Sequence, residues 1–370
     1  MKIVLTGGGS GGHFYPLIAV AEAIREEARS AQLIEPELYF LSPSPYQQKL
    51  LFTNRISFIK IPAGKIRRYF SFKNITDIAH TLLGIIKALV ILFKIYPDVV
   101  FGKGGYGSFP TIFAARLLRI PVVIHESDAF PGRMNKWAGK FAQRIAISFA
   151  DTAQFFPRDK VALTGIPLRR EIRKPNRAPT EPKQTILILG GSQGSETINN
   201  TVVEALPLLI QNYRIIHQTG KLNYEKTLQN ASFFLESSES EKDSYHPTPY
   251  LSTEEMSDAG AEASLVISRA GATTLAEISS WNKPAIIIPI TDSNGDHQRK
   301  NAFIYAEYTG ASVIEEKNLS SHILSAGVDR ILKNPEKYHA LTQTAGKFYH
   351  PDAGGIIAQE LLHIALSHNT

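Results

Sequence analysis

Residues 2–16 read KIVLTGGGSGGHFYP, and residues 185–199 read TILILGGSQGSETIN. Each begins with a short aliphatic run, breaks into glycines and continues into a helix-forming stretch. An apolar strand that ends in a glycine loop and turns directly into a helix opens a βα unit, and strands joined that way form a parallel sheet covered on both faces. The pattern opens each half of the chain, which predicts an α/β protein of two similar, doubly wound parallel-sheet domains.

Working outward from the first stretch, further strands are expected near residues 38–41, 57–61, 98–101, 121–125 and 144–148, with helices near 16–28 and 109–118. Around the second, strands are expected near 214–217, 265–268 and 284–290. Between them lies RKPNRAPTEP (173–182), polar and with three prolines, a linker by composition. These features divide the chain into domains 1–170 and 171–345, with a last helix near 355–367, within 346–370, expected to pack back on the first domain. Residues 231–246, rich in serine and acids, read as a surface excursion.

The 370 residues contain no cysteine, which removes disulfides, thiolate metal sites and cysteine nucleophiles and fits a cytosolic protein. The apolar run after Lys2 is too short for a signal peptide, and no uninterrupted apolar run reaches the roughly 18 residues of a membrane span. Net charge is +6, but residues 1–175 carry +13 and residues 176–370 carry −7. A basic N-terminal half points to an anionic partner.

A third glycine loop, Gly102-Lys103-Gly104-Gly105-Tyr106-Gly107-Ser108, follows the strand near 98–101. Glycines at the carboxyl end of a parallel strand let backbone N–H groups approach an anion, and the next helix adds its positive end. Such loops in two domains facing a cleft suit a diphosphate-bearing substrate pair. Two other motifs fail. Gly7-x-Gly9-x-x-Gly12 matches the dinucleotide fingerprint, but the second strand ends Leu41-Ser42-Pro43-Ser44, without the carboxylate that would hold a ribose. Gly-x-Ser-x-Gly, the hydrolase elbow, occurs at both 8–12 and 190–194, whereas a hydrolase needs one nucleophile.

Seven stretches in order, GGGSGGHFYPLIAVAEAI (7–24), PDVVFGKGGYGSFP (97–110), HESDAFPGRMNKW (125–137), TGIPLRR (164–170), ILGGSQGSETIN (188–199), SRAGATTLAEI (268–278) and DHQRKNA (296–302), resemble the MurG family of bacterial cell-wall glycosyltransferases. The resemblance covers nearly the whole chain. It implies the GT-B fold, two Rossmann-like domains across a cleft, and inverting transfer of N-acetylglucosamine from UDP-GlcNAc. The implied acceptor is the C4 hydroxyl of N-acetylmuramoyl-pentapeptide on undecaprenyl diphosphate (lipid I), the product lipid II. No cofactor and no metal are implied, and Asp-x-Asp is absent from the sequence.

The resemblance also implies residue roles. Backbone groups of Ala272 and Thr273 and the hydroxyl of Thr274 face the donor diphosphate at a helix start, Leu275 belongs to the same donor site, and Ser192 donates to the donor phosphate. Glu277 accepts the ribose hydroxyls, a capping role at its own helix start being the other reading. Gln298, with His297 beside it, holds sugar hydroxyls, and Leu251 contacts uracil through its backbone. In the first domain Ser10, Gly11, Gly12, Asp128 and Arg169 belong to the donor side, and Gly104, Gly105, Tyr106 and Asn135 to the acceptor side. His13 is the candidate general base, its intrinsic pKa lying near neutrality, with Glu126 or Asp128 as alternatives. Lys103 is a further anion contact. The chain departs from the family at Ser127-Asp128, usually Gln-Asn, and at Ile166, usually Asn.

The segment 65–73, KIRRYFSFK, is basic and aromatic and runs into an apolar helix near 75–95 interrupted by Lys87 and Lys94. That combination suits an anionic membrane surface, and with a lipid acceptor it implies peripheral attachment at the cytoplasmic face of the inner membrane. No recognised nucleic-acid motif accompanies the charge. Other cell-wall enzymes are compatible partners. Competing readings are a GT-B enzyme with another lipid acceptor, a UDP-sugar epimerase, and a non-catalytic UDP-sugar-binding protein. The stretches at 102–108 and 125–132 favour the first assignment.

Overall fold

The computed structural model describes residues 1–8, 10–65, 73–173, 183–191, 193–235, 243–291 and 296–367. The chain forms two compact units, one of Met1–Arg169 with His350–Thr370, the other of Arg170–Tyr349. Most of the proline-rich 173–182 segment and of the basic 65–73 segment lies outside the described residues.

The first unit is built on seven parallel strands: β1 (Lys2–Thr6), β2 (Glu37–Ser42), β3 (Ile56–Lys60), β4 (Val99–Gly102), β5 (Val122–Glu126), β6 (Arg144–Ile147) and β7 (Val161–Leu163), in the order β3-β2-β1-β4-β5-β6-β7. Ile3, Val4 and Leu5 are fully buried because helices cover both faces of β1, which is why its sequence is apolar without alternation. On one face, helix Gly11–Ser30 sets Leu17, Ile18, Ala21 and Ile24 against Ile3, Leu5 and Phe101. Helix Ala353–Ser367 adds Ile357, Leu361 and Ile364 to the same cluster. The strand order reverses between β1 and β4. Ligands of doubly wound sheets bind at such a switch point, outside the carboxyl ends of the strands, and here those ends carry the loops Gly7–Gly12 and Gly102–Gly107.

Helix Lys73–Ile95 packs on helix Phe109–Leu117 of the other face. It is apolar on two sides that meet different surroundings. Gly84, Ala88 and Leu92 are buried, and a Cβ at Gly84 would collide with the Pro62 carbonyl, so only glycine admits that approach. On the opposite side Ile78, Leu82, Leu83, Ile86, Val90 and Phe93 are each about half or more exposed, Phe93 reaching 74%. Residues 76–95 are long and apolar enough, by length and composition, to cross a membrane. The apolar run itself stays interrupted by Lys87 and Lys94, as read from the sequence, while an 18-residue window within it has a mean hydropathy of 2.0.

The second unit has six parallel strands: β8 (Thr185–Leu189), β9 (Arg214–Gln218), β10 (Tyr245–Thr248), β11 (Ala263–Ser268), β12 (Ala285–Ile287) and β13 (Ser312–Val313), ordered β10-β9-β8-β11-β12-β13. Its switch point lies between β8 and β11. Residues 231–246 are not wholly an excursion: Tyr245 and His246 begin β10, paired with Ile215 and Ile216. Pro247 disguised this strand, and proline is tolerated there because β10 is at the sheet edge.

Candidate active site

In the first unit the carboxyl ends of β1, β4 and β5 bring His13, Lys103, Glu126, Ser127, Asp128 and Asn135 together. Ser10 starts helix Gly11–Ser30 in extended conformation but makes no side-chain cap; its hydroxyl instead meets His13 Nδ1 at 2.8 Å. The ring's other nitrogen points at the Gly104–Gly105 turn, where a Cβ at Gly105 would lie 3.4 Å from Nε2. Gly105 has φ +77° and approaches the Gly8 carbonyl so closely that a Cβ would sit 2.7 Å from it. The glycines thus lock two phosphate-type loops together around the imidazole.

Burial and the Lys103 ammonium lower the His13 pKa to about 4, against the opposing pull of Asp128. The ring is therefore neutral at pH 7, with a lone pair to accept a proton. Lys103 itself is buried, donates to the Ser127 hydroxyl, and is lowered to about 8 by burial, Glu126 and Asp128 pulling the other way. Burial and Asp128 raise the Glu126 carboxyl above its ordinary value. Its oxygens accept from Asp128 N (3.0 Å), Gly132 N (3.0 Å) and Asn135 Nδ2 (2.9 Å). Glu126 is thereby engaged in holding its own loop.

Asn135 is buried, its amide also donating to the His125 carbonyl at 3.1 Å, while Oδ1 has no hydrogen-bond partner among the described residues. Gly104, φ +83°, rests on this amide. Tyr106 is 38% exposed at the start of the following turn, Gly12 is exposed and Gly11 buried against Tyr15 and Tyr46. Arg169 lays its guanidinium over the Tyr15 ring, 4.2 Å from the centroid. Ile166 is buried in the apolar interior.

The second unit gathers a separate group at the ends of β8, β9, β11 and β12. Helix Ala272–Ser280 begins at Gly271, which has no side chain to cap it, so Ala272, Thr273 and Thr274 form an N-terminal turn open to an anion. Leu275 is fully buried beneath them. Glu277 stands half-buried, three residues past the N3 position held by Thr274, so it is not a capping glutamate. Gln298 is the second residue of helix His297–Thr309, and its Oε1 accepts from Ile290 N at 3.3 Å. Leu251 is nearly buried and gives its N–H to Gln218 Oε1 at 3.1 Å. Ser192 lies outside the described residues.

Arg269, inside the quoted 268–278 stretch but not singled out in it, proves central to this group. Its guanidinium, 7% exposed, donates to Ser195 Oγ at 2.6 Å, to the Ile288 carbonyl at 3.2 Å and to Glu316. Burial opposes ionisation of Glu316, but the Arg269 hydrogen bond outweighs it and holds the carboxyl below its ordinary value. An arginine closing an apolar strand was the available signal.

The two parallel-sheet units have the GT-B fold of nucleotide-sugar enzymes. Residues 3–147 match the glycosyltransferase family 28 N-terminal domain and residues 185–353 its C-terminal domain. A Bacillus cereus UDP-N-acetylglucosamine–N-acetylmuramyl-(pentapeptide) pyrophosphoryl-undecaprenol N-acetylglucosamine transferase is 36% identical over 356 residues, 94% of this chain and 96% of that protein. A Clostridium novyi protein of the same name is 35% identical over 91% of this chain and 92% of its own length. The crystal structure of Acinetobacter baumannii MurG aligns with TM-score 0.74 and 25% identity, covering 98% of this chain and 99% of that one. A Neisseria meningitidis UDP-GlcNAc 2-epimerase shares the fold, with TM-score 0.70 at 14% identity over 98% of this chain and all of that one. The chain belongs to glycosyltransferase family 28.

Proposed function

We propose that the chain transfers N-acetylglucosamine from UDP-GlcNAc to the C4 hydroxyl of the N-acetylmuramoyl group in lipid I, giving lipid II. The observation that carries the proposal is the full-length similarity to transferases of that name, 36% identity over 94% of the chain. The second unit takes the donor: the helix start at Ala272–Thr274 receives the diphosphate, Glu277 the ribose and Gln298 the sugar. The first unit takes the acceptor at the Gly104–Tyr106 turn. His13 accepts the proton of the C4 hydroxyl as its oxygen forms the bond to C1 of the sugar, and the C1–O bond to UDP breaks with inversion. The departing charge passes to UDP, where backbone N–H groups and the helix dipole stabilise it. Asp128, a carboxylate where relatives of the resembled family carry an amide, acts here through its charge on His13.

The exposed apolar side of helix Lys73–Ile95, following a strongly basic segment, supports peripheral binding to an anionic bilayer, at the cytoplasmic face where lipid I is presented. The test is transfer of radiolabelled N-acetylglucosamine to a short-chain lipid I analogue, with EDTA present, by wild type and His13→Ala. Transfer by the wild type that collapses in the variant, with UDP-GlcNAc binding intact, is the expected result. A folded wild type that binds UDP-GlcNAc but leaves lipid I unmodified would refute the acceptor.

A further inference from the structure

Gln218 closes β9 opposite Leu189, the last residue of β8, and is 3% exposed. Both ends of its carboxamide are engaged. Nε2 donates to the Gly191 carbonyl at 3.2 Å, and Oε1 accepts from Leu251 N at 3.1 Å. Gly191 belongs to the glycine loop 190–195, and Leu251 is the residue assigned to the nucleobase. One buried side chain therefore ties the phosphate end of the nucleotide site to its base end.

The surrounding backbone leaves little freedom for this tie. Gly194 and Gly220, at φ +77° and +85°, interlock so that a Cβ on the first would collide with the Thr219 carbonyl and one on the second with the Gln193 carbonyl. Thr219 in turn bonds the Thr248 carbonyl through N at 2.9 Å and Oγ1 at 3.2 Å. Gly194, the end of β9 and Thr248 are thus held to one another by close backbone approaches and hydrogen bonds. Moreover, a Leu251 N–H already given to Gln218 leaves the carbonyl as the backbone group that 251 offers a base. A carbonyl accepts from an imide N–H, as in uracil, and meets a lone pair in cytosine, a mismatch that leaves polar groups unpaired.

We propose that Gln218 is a positioning residue that couples base recognition to diphosphate recognition and selects a uracil-type base through Leu251. The inference rests on the donor-site assignment of the second unit. Calorimetry on the full chain would give dissociation constants for UDP, CDP and uridine, with thermal unfolding as the check on folding. Q218A removes both bonds, and the preference for UDP over CDP falls roughly ten-fold, as expected for one buried hydrogen bond. Q218E keeps the acceptor for Leu251 N but sets a carboxylate oxygen against the Gly191 carbonyl. Its UDP:CDP preference stays near wild type, while the affinity gained from uridine to UDP falls roughly ten-fold.

An unchanged UDP:CDP ratio in folded Q218A overturns the selection, and an unchanged uridine-to-UDP gain in Q218E overturns the coupling. Should Q218A fail to fold, Q218E still decides, because equal losses for all three ligands would mean a merely structural glutamine. Absence of UDP binding by the wild type overturns the donor assignment itself and is seen before any substitution.

Discussion

At the scale of single residues, the neighbourhood of His13 departs most from its amino-acid type. His13 was legible as a base candidate through the resemblance and its near-neutral intrinsic pKa, but its surroundings were not, since Lys103, Glu126 and Asp128 come from distant strands. In the role proposed for it, His13 works unprotonated, so the rate should fall as pH drops through its pKa, about 4. Lys103 is one of the causes of that low value, and removing its charge lets the pKa climb. K103M should therefore move the acid limb of the kcat/KM profile upward by roughly one pH unit; an unmoved limb would argue that Lys103 does not act on His13. Gly105→Ala tests the turn beneath the ring. With φ +77° and the Gly8 carbonyl in the way, it should cost about 1–2 kcal/mol in denaturant unfolding and more in transfer rate.

At the scale of elements, most strands of both sheets were readable because fully covered parallel strands are apolar throughout, as in β1 and β8, whereas Pro247 hid β10 at its sheet edge. β7 and β13, of 3 and 2 residues, were too short to leave a pattern. Helix Lys73–Ile95 was readable as apolar but not as two-sided: the sequence cannot tell Gly84, Ala88 and Leu92, which meet the domain, from Leu82, Ile86 and Phe93, which meet solvent. That division yields a prediction. The triple variant L82S/I86S/F93S removes exposed apolar area worth about 1–2 kcal/mol per side chain in an acyl environment, so its partitioning to vesicles containing anionic lipid should fall at least ten-fold while UDP binding is retained. Vesicle binding equal to wild type in a sedimentation assay would remove this helix from the membrane proposal.

At the scale of the molecule, duplication of the strand–glycine–helix pattern made two α/β units legible, and the charge of +13 on residues 1–175 against −7 beyond set them apart. The allocation of Arg269 and Gln218 was not, because both serve contacts among loops far apart in sequence. Since Arg170–Tyr349 forms a compact unit with its own core cluster, residues 170–349 produced alone should fold and bind UDP, measured by calorimetry. Conversely, cutting the chain before Ala353 strips Ile357, Leu361 and Ile364 from the first unit's core, and its unfolding transition should disappear while that of the second unit persists. Survival of both transitions in the shortened chain would contradict the shared core.

The helix Ala353–Ser367 also sets an order of events during synthesis. Its Gln359 bonds Glu27 across 332 positions, so the amino-terminal unit, first to leave the ribosome, lacks part of its interior until residues 353–367 have followed. The second unit, translated later, holds every piece it needs sooner. Birth order and completion order are therefore reversed, and in a chain that ends before residue 353 the apolar flank of helix Gly11–Ser30 lacks the last helix that covers it.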